Sequence, residues 1–270
     1  MSISPVYEAI KAAIASNTKL LVGRNGSTEL NLMVDPDPNS RWIPIIEQVS
    51  GIWNRHADFK VAAIQASHDA DLLATGWYEP LIAEEAELLR NYKGQRISLE
   101  DLEPWSSSKW TELLAGQHVA VISPFAATIQ SQYARRQELW PSGLLPQFAS
   151  LTTVRTGYSP SVAGRNRSCA WPPHVRSWSD AVDHVVSQVP ATARIVLVGC
   201  GAIGMPAAAA LKARGHIVIV MGGILQLLFG IKGRRWVRLP ISAEFNDAWT
   251  NPSKDETPTC FRNIEAGCYW

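Results

Sequence analysis

Residues 199–204 of the chain read Gly-Cys-Gly-Ala-Ile-Gly, a GxGxxG spacing set between an apolar run at 194–198 and an alanine-rich run at 205–214. Glycines at these positions let the backbone approach a diphosphate, and a helix start supplies free N–H groups and partial positive charge. A dinucleotide site also needs an Asp or Glu at the end of the next strand, to hold the ribose hydroxyls. That strand, at 216–220, ends in Met221-Gly222-Gly223 and offers no acid. The pattern therefore points away from NAD or FAD. It points toward another phosphate-bearing ligand, or toward close helix–strand packing alone.

A second glycine turn follows. Residues 221–236 read MGGILQLLFGIKGRRW, so a strand end, the pair Gly222-Gly223 and an apolar helix start repeat the first arrangement. Lys232, Arg234 and Arg235 come next, and Arg gives bidentate contacts to phosphate. Two further sets could move protons. His68, Asp69 and Asp71 follow a strand-like run, and Glu265 lies in the segment EAGCYW. Each has a plainer reading, Asp69 as a helix cap and Glu265 as an ion-pair partner.

Positioning these residues requires alternating strands and helices. Strands are expected at 19–22, 60–65, 118–123, 194–198 and 216–220, each followed by a glycine or polar turn. Helices are expected near the start, at 44–53, 81–91, 105–114, 124–136, 178–188 and 205–214, with a loop at 35–40. This order implies an α/β fold with a mainly parallel, Rossmann-like sheet and helices on both faces. Ligands of such sheets bind at the carboxyl ends of the strands, where the turns after 22, 65, 123, 198 and 220 gather. Residues 151–175, rich in Ser, Gly, Arg and Pro, read as an irregular excursion from a single domain spanning 1–270.

Composition bounds the rest. The 270 residues are 46% hydrophobic and 18% charged, which excludes a disordered chain and a disulfide-stapled miniprotein. A net charge of +1 gives no global field for nucleic acid, so phosphate binding must be local. The four cysteines have no zinc spacing, and the two uncharged runs near 195–211 and 217–231 are broken by glycine. A reduced, cytoplasmic protein without transmembrane segments is expected. The 11 tryptophans serve either as core filler or as stacking platforms for flat ligands.

The strings VGCGAIGMP, MGGILQLLFGIKGRRW and NIEAGCYW, with GRNGSTEL and VISPFAATIQSQY, resemble a family of glycosyltransferases with the GT-D-like fold. The resemblance runs from about residue 20 to 270. It implies transfer of a sugar from a nucleotide diphosphate donor to a glycan or lipid-linked acceptor, in surface polysaccharide or glycoconjugate synthesis. The location implied is the cytoplasm or the membrane surface. The family's turn after the first strand reads Arg, any residue, Gly, Asp, any residue, Glu. Carried over, it becomes Arg24, Asn25, Gly26, Ser27, Thr28 and Glu29, with Ser27 in place of the aspartate. The resemblance assigns Arg24, Asn25, Gly26 and Ser27 to the donor, and the residue reading adds Gly199, Gly201, Gly204, Gly222, Gly223, Gln226, Lys232, Arg234 and Arg235. Glu29 from the carried-over turn, with Asp69 and Asp71 from the loop at 66–71, are the catalytic candidates. Glu29 is also the one carboxylate left for Mg²⁺ or Mn²⁺, which needs only one or two carboxylates when substrate phosphates complete its shell. Two other classes compete: an NAD(P)-dependent oxidoreductase using Gly199–Gly204, and a non-catalytic nucleotide-sugar binder that has lost its second acid.

Overall fold

A computed structural model of the chain describes residues 4–37, 39–106 and 109–270. Pro38 of the expected loop and Ser107 and Ser108 of the expected 105–114 helix lie outside these residues. Seven parallel strands form one sheet in the order β3-β2-β1-β7-β6-β4-β5. They are β1 (Leu20–Arg24), β2 (Leu72–Ala74), β3 (Gln95–Ile97), β4 (His118–Ser123), β5 (Ser150–Arg155), β6 (Ile195–Val198) and β7 (Ile217–Val220). The helices are α1 (Pro5–Ala15), α2 (Ser27–Val34), α3 (Trp42–Val49), α4 (His56–His68), α5 (Ile82–Leu88) and α6 (Ala126–Tyr133). After them come α7 (Arg136–Leu139), α8 (Pro160–Ala163), α9 (Trp178–Gln188), α10 (Gly204–Ala213) and α11 (Ile224–Leu228).

The central strands are apolar on both faces, as a sheet covered on two sides requires. Successive side chains of β7 go to opposite cores. Ile217 and Ile219 join α1, Phe229 and Trp249, whereas Val218 and Val220 join α4, α9 and α10. β1, β4 and β6 divide in the same way. The expected α/β class and parallel sheet are therefore observed.

Three local expectations are corrected. Residues 60–65 are not a strand but the middle of α4, where Phe59, Ala63 and Ala66 bury one helical stripe at i, i+4 and i+7. The strand after α4 is β2. Asp69 and Asp71 therefore stand before a strand, at the amino edge of the sheet, and not after one. The stretch 151–175 does not begin irregularly: β5 pairs with β4 in full register from Ser150 to Arg155, and the irregular path starts at Thr156.

Candidate active site at the carboxyl edge of the sheet

A cavity of about 460 Å³ opens over the carboxyl ends of the strands. Residues just beyond all seven line it: Asn25 after β1, Trp77 after β2, Leu99 after β3, Phe125 after β4, Thr156 after β5, Gly199 after β6 and Gly222 after β7.

Arg24 ends β1 and reaches the turn after β7. A Cβ at Gly222 would stand 2.0 Å from Arg24 Nη2, and Gly222 also has φ +62°. Only glycine satisfies both demands. The Arg24 guanidinium also lies over the Trp77 ring, 5.3 Å from its centre. Burial pulls the Arg24 guanidinium below its ordinary value, while Glu29 pulls it up. The neighbouring Gly223 carries the second cation. A Cβ there would meet the Tyr269 ring at 2.9 Å, Trp236 at 3.4 Å and Arg235 Nη1 at 3.7 Å. Arg235 donates to the Tyr269 hydroxyl at 2.8 Å, pairs with the Glu265 carboxylate, and lies over the rings of Tyr269 and Trp236. Two consecutive glycines thus seat two guanidinium groups against one wall of the cavity.

Glu29 occupies the first turn of α2. Its carboxylate folds back onto Gly26, where a Cβ would lie 2.0 Å from Oε2. Burial pushes the Glu29 carboxyl above its usual range, opposed by its own backbone N–H, Arg24 and the Ser50 hydroxyl. Asn25 is held from behind, its Nδ2 donating to Ser67 Oγ at 3.0 Å.

The first glycine turn is engaged by the protein itself. Gly199 meets the Gly222 carbonyl and Leu225, so a Cβ would stand 2.7 and 2.8 Å from them. Gly201, at φ +67°, sits against the Ser50 carbonyl, which also accepts the Ala202 N–H at 3.1 Å. Gly199 and Gly201 line the cavity, but Gly204 does not and serves helix–strand packing against Val198 and Val220. Cys200 between them has its thiol pushed up to about 12 by burial, so it is neutral.

Several sequence-predicted residues fall elsewhere. Asp71 accepts the Leu21 N–H at 2.8 Å and pairs with Lys212 at 2.8 Å, below the sheet's opposite edge. Asp69 bonds Gln65 at the end of α4, and His68 packs against Tyr92. Lys232 and Arg234 do not line the cavity, and Arg234 is exposed. Gln226 does line it, with Nε2 held by the Ile231 carbonyl at 3.2 Å.

Sequence reasoning missed the aromatic wall. Trp77, Tyr158, Trp171, Trp236, Tyr269 and Trp270 all line the cavity, while Trp110, Trp140, Trp178 and Trp249 fill the core. The core-filler reading of the tryptophan excess holds for the second subset, and the first lies where a flat ligand could be stacked. Glu256 was missed as well. Fully buried, it accepts from the Ala127 N–H at 2.6 Å, the Thr128 N–H and hydroxyl, and Ser253 Oγ at 3.0 Å. A carboxylate on the N-terminus of α6 anchors the segment that delivers Glu265, Tyr269 and Trp270.

Among the described residues, no three His, Cys, Asp or Glu side chains are placed to hold one ion. Ser27 leaves Glu29 as the single acid of its turn, and that acid is folded onto Gly26. No helix of the described residues is long and apolar enough to cross a membrane.

No family model matches the chain, and no curated protein matches it. Three solved structures are similar in fold, each with a TM-score of 0.48 and covering 95% of this chain. One is a selenomethionine form of domain of unknown function 1792, 11% identical and covered over 92% of its length. The second is described as a new glycosyltransferase with that domain from Streptococcus sanguinis, 10% identical and covered over 96%. The third, 11% identical and covered over 92%, is described as that domain having a distinct glycosyltransferase fold.

Proposed function

We propose that the chain is a glycosyltransferase that moves a sugar from a nucleoside diphosphate donor to a glycan or lipid-linked acceptor. The observation that carries this reading is the pair Arg24 and Arg235, seated on Gly222 and Gly223 beside an aromatic wall. Two planar forks at one wall suit two linked phosphates, and the rings suit a flat base or a sugar face.

In the reaction, the acceptor hydroxyl oxygen bonds to the anomeric carbon. The bond from that carbon to the diphosphate oxygen breaks, and its electron pair leaves with the diphosphate. Arg24 and Arg235 meet the growing charge there, a stabilisation strongest where water is excluded. The hydroxyl proton goes to a carboxylate lining the cavity. Glu29 suits that role, because burial raises its affinity for a proton. Asp69 and Asp71 are too far round the sheet to take part. Cytoplasmic location and a part in surface glycan synthesis belong to this proposal.

One observation favours a second reading, a nucleotide-sugar binder without transfer: Ser27 stands where a second acid would be, and Glu29 is turned toward Gly26. The dinucleotide reading loses ground, because Met221 follows β7 and Ser50 already takes the Ala202 N–H. The test is calorimetric titration with UDP-, GDP- and dTDP-sugars and with NADH and NADPH, followed by an assay of donor hydrolysis. Binding of one sugar nucleotide with hydrolysis supports the transferase. Binding without hydrolysis supports the second reading. Binding of NADH or NADPH alone overturns both.

A further inference from the structure

Among the described residues, five large apolar side chains are exposed: Ile45, Val61, Ile82, Val237 and Leu239. Two of the five fall in one turn at the cavity mouth. Val237 is 60% exposed and Leu239 44%, and Leu239 also lines the cavity. The turn is pinned at both ends by buried side chains, Trp236 at 7% and Ile241 at 9%. Those two take the inward positions. The Leu239 N–H bonds the Trp236 carbonyl at 3.0 Å, which closes the turn and directs Val237, Arg238 and Leu239 outward.

Basic residues outnumber acidic ones along this segment: residues 231–247 contain Lys232, Arg234, Arg235 and Arg238, against Glu244 and Asp247 at its far end. Arg235 is engaged by Glu265 and Tyr269, Arg234 donates to the Ala266 carbonyl at 3.4 Å, and all three of Arg234, Arg235 and Arg238 are exposed. Exposed aliphatics flanked by arginines match a bilayer interface: the apolar groups enter the headgroup boundary, and the cations meet anionic headgroups.

We infer that the turn 236–239, with Arg234 and Arg238, docks the protein on an anionic lipid bilayer and turns the cavity mouth toward it. The contact with the bilayer stands apart from the transferase reading. That it presents a lipid-linked acceptor, in preference to a soluble glycan, rests on that reading. The geometry suits such an acceptor, because Leu239 is shared by the exposed patch and the cavity wall.

The test is sedimentation of the full chain with vesicles of phosphatidylcholine, or of phosphatidylcholine with part replaced by phosphatidylglycerol. No sugar nucleotide is present, so the outcome is independent of donor binding. The protein is expected to pellet with the anionic vesicles only. Arg238→Ala should weaken binding about fivefold, the effect of one basic residue near an anionic surface. Val237→Asp should weaken it further. Val61→Asp, on α4 and 69% exposed in the parent, should change nothing. All three sites are exposed or at the surface, and an unchanged melting temperature shows that folding is intact. Absence of pelleting with anionic vesicles overturns the inference, as does equal loss in Val61→Asp. Loss in Arg238→Ala with none in Val237→Asp also overturns it, because that is attraction to any polyanion.

Discussion

The Arg24 guanidinium rests on the backbone of Gly222, so close that a Cβ there would stand 2.0 Å from Nη2. This contact joins the end of β1 to the turn after β7, its neighbour in the sheet. It places a cation from residue 24 beside one from residue 235.

Gly222→Ala and Gly223→Ala should therefore differ. At Gly222 the φ of +62° costs about 1–2 kcal/mol for a non-glycine residue, and Arg24 is displaced as well. Both the melting temperature and donor affinity should fall. At Gly223 no positive φ is required, and the nearest obstacle is the Tyr269 ring at 2.9 Å. Stability should fall less there, while donor affinity falls through Tyr269 and Arg235. Equal stability losses in the two variants would contradict this account.

Arg235→Ala should weaken donor binding by about 1–3 kcal/mol, the scale of a hydrogen bond to a charged group. Arg235→Lys should recover only part, because the planar fork is lost. Arg234→Ala, outside the cavity, should leave donor affinity unchanged in titration calorimetry. A larger effect at Arg234 than at Arg235 would move the anion site out of the cavity.

Glu29 carries a pH signature. Burial raises its folded-state pKa above that of the unfolded chain, so the folded state prefers the proton. Its stabilising contribution is present below the unfolded value, about 4.3, and is lost as pH rises through the raised folded value. Glu29→Gln, which mimics the protonated form, should gain stability relative to the parent as pH rises toward neutral. Denaturant midpoints measured across that range check the sign, and a constant difference between the two proteins would refute it.

Ser27→Asp would place a second carboxylate two residues before Glu29, at the start of α2. Calorimetry should then show Mn²⁺ binding tighter than in the parent, most of all with a nucleoside diphosphate present to complete the shell. Unchanged Mn²⁺ affinity would mean that Glu29 stays folded on Gly26 and ligates nothing.

Asp71→Ala should cost stability and leave the donor site alone. It removes an acceptor from the Leu21 N–H and the partner of Lys212, for a loss of about 1–3 kcal/mol. Donor affinity in the folded variant should match the parent. A selective loss of affinity would return Asp71 to the site.

Much of this fold was legible locally. β4, β6 and β7 are runs of four to six residues rich in Val and Ile, and they signal buried parallel strands without reference to partners. The turns after β6 and β7 announce themselves by glycine, and Trp178–Gln188 shows its helical stripe and its Ser177 cap. β2 and β3, of three residues each, are too short to show a period, and β3 is exposed at two of its three positions. The run 60–65 fits a strand or a buried helix equally well over six residues; its place in a 13-residue helix comes from packing Phe59, Ala63 and Ala66 on the sheet. That one difference carried Asp69 and Asp71 to the opposite edge, because a helix before β2 turns the following loop into a strand entrance.

The sequence by itself determined which residue types the candidate site could draw on: two glycine turns, an arginine beyond the second, and Arg24 and Glu29 in one short motif. Only the tertiary structure decided which of these meet. Lys232, Arg234 and Arg235 look alike in the chain, yet Arg235 alone lines the cavity, because Glu265 and Tyr269 draw its side chain across Gly223. Contacts between residues 24 and 222 or 235 and 265 join distant points of the chain. They exist because β1 and β7 are paired and Glu256 ties the segment bearing Glu265 to α6, and no local pattern encodes either event.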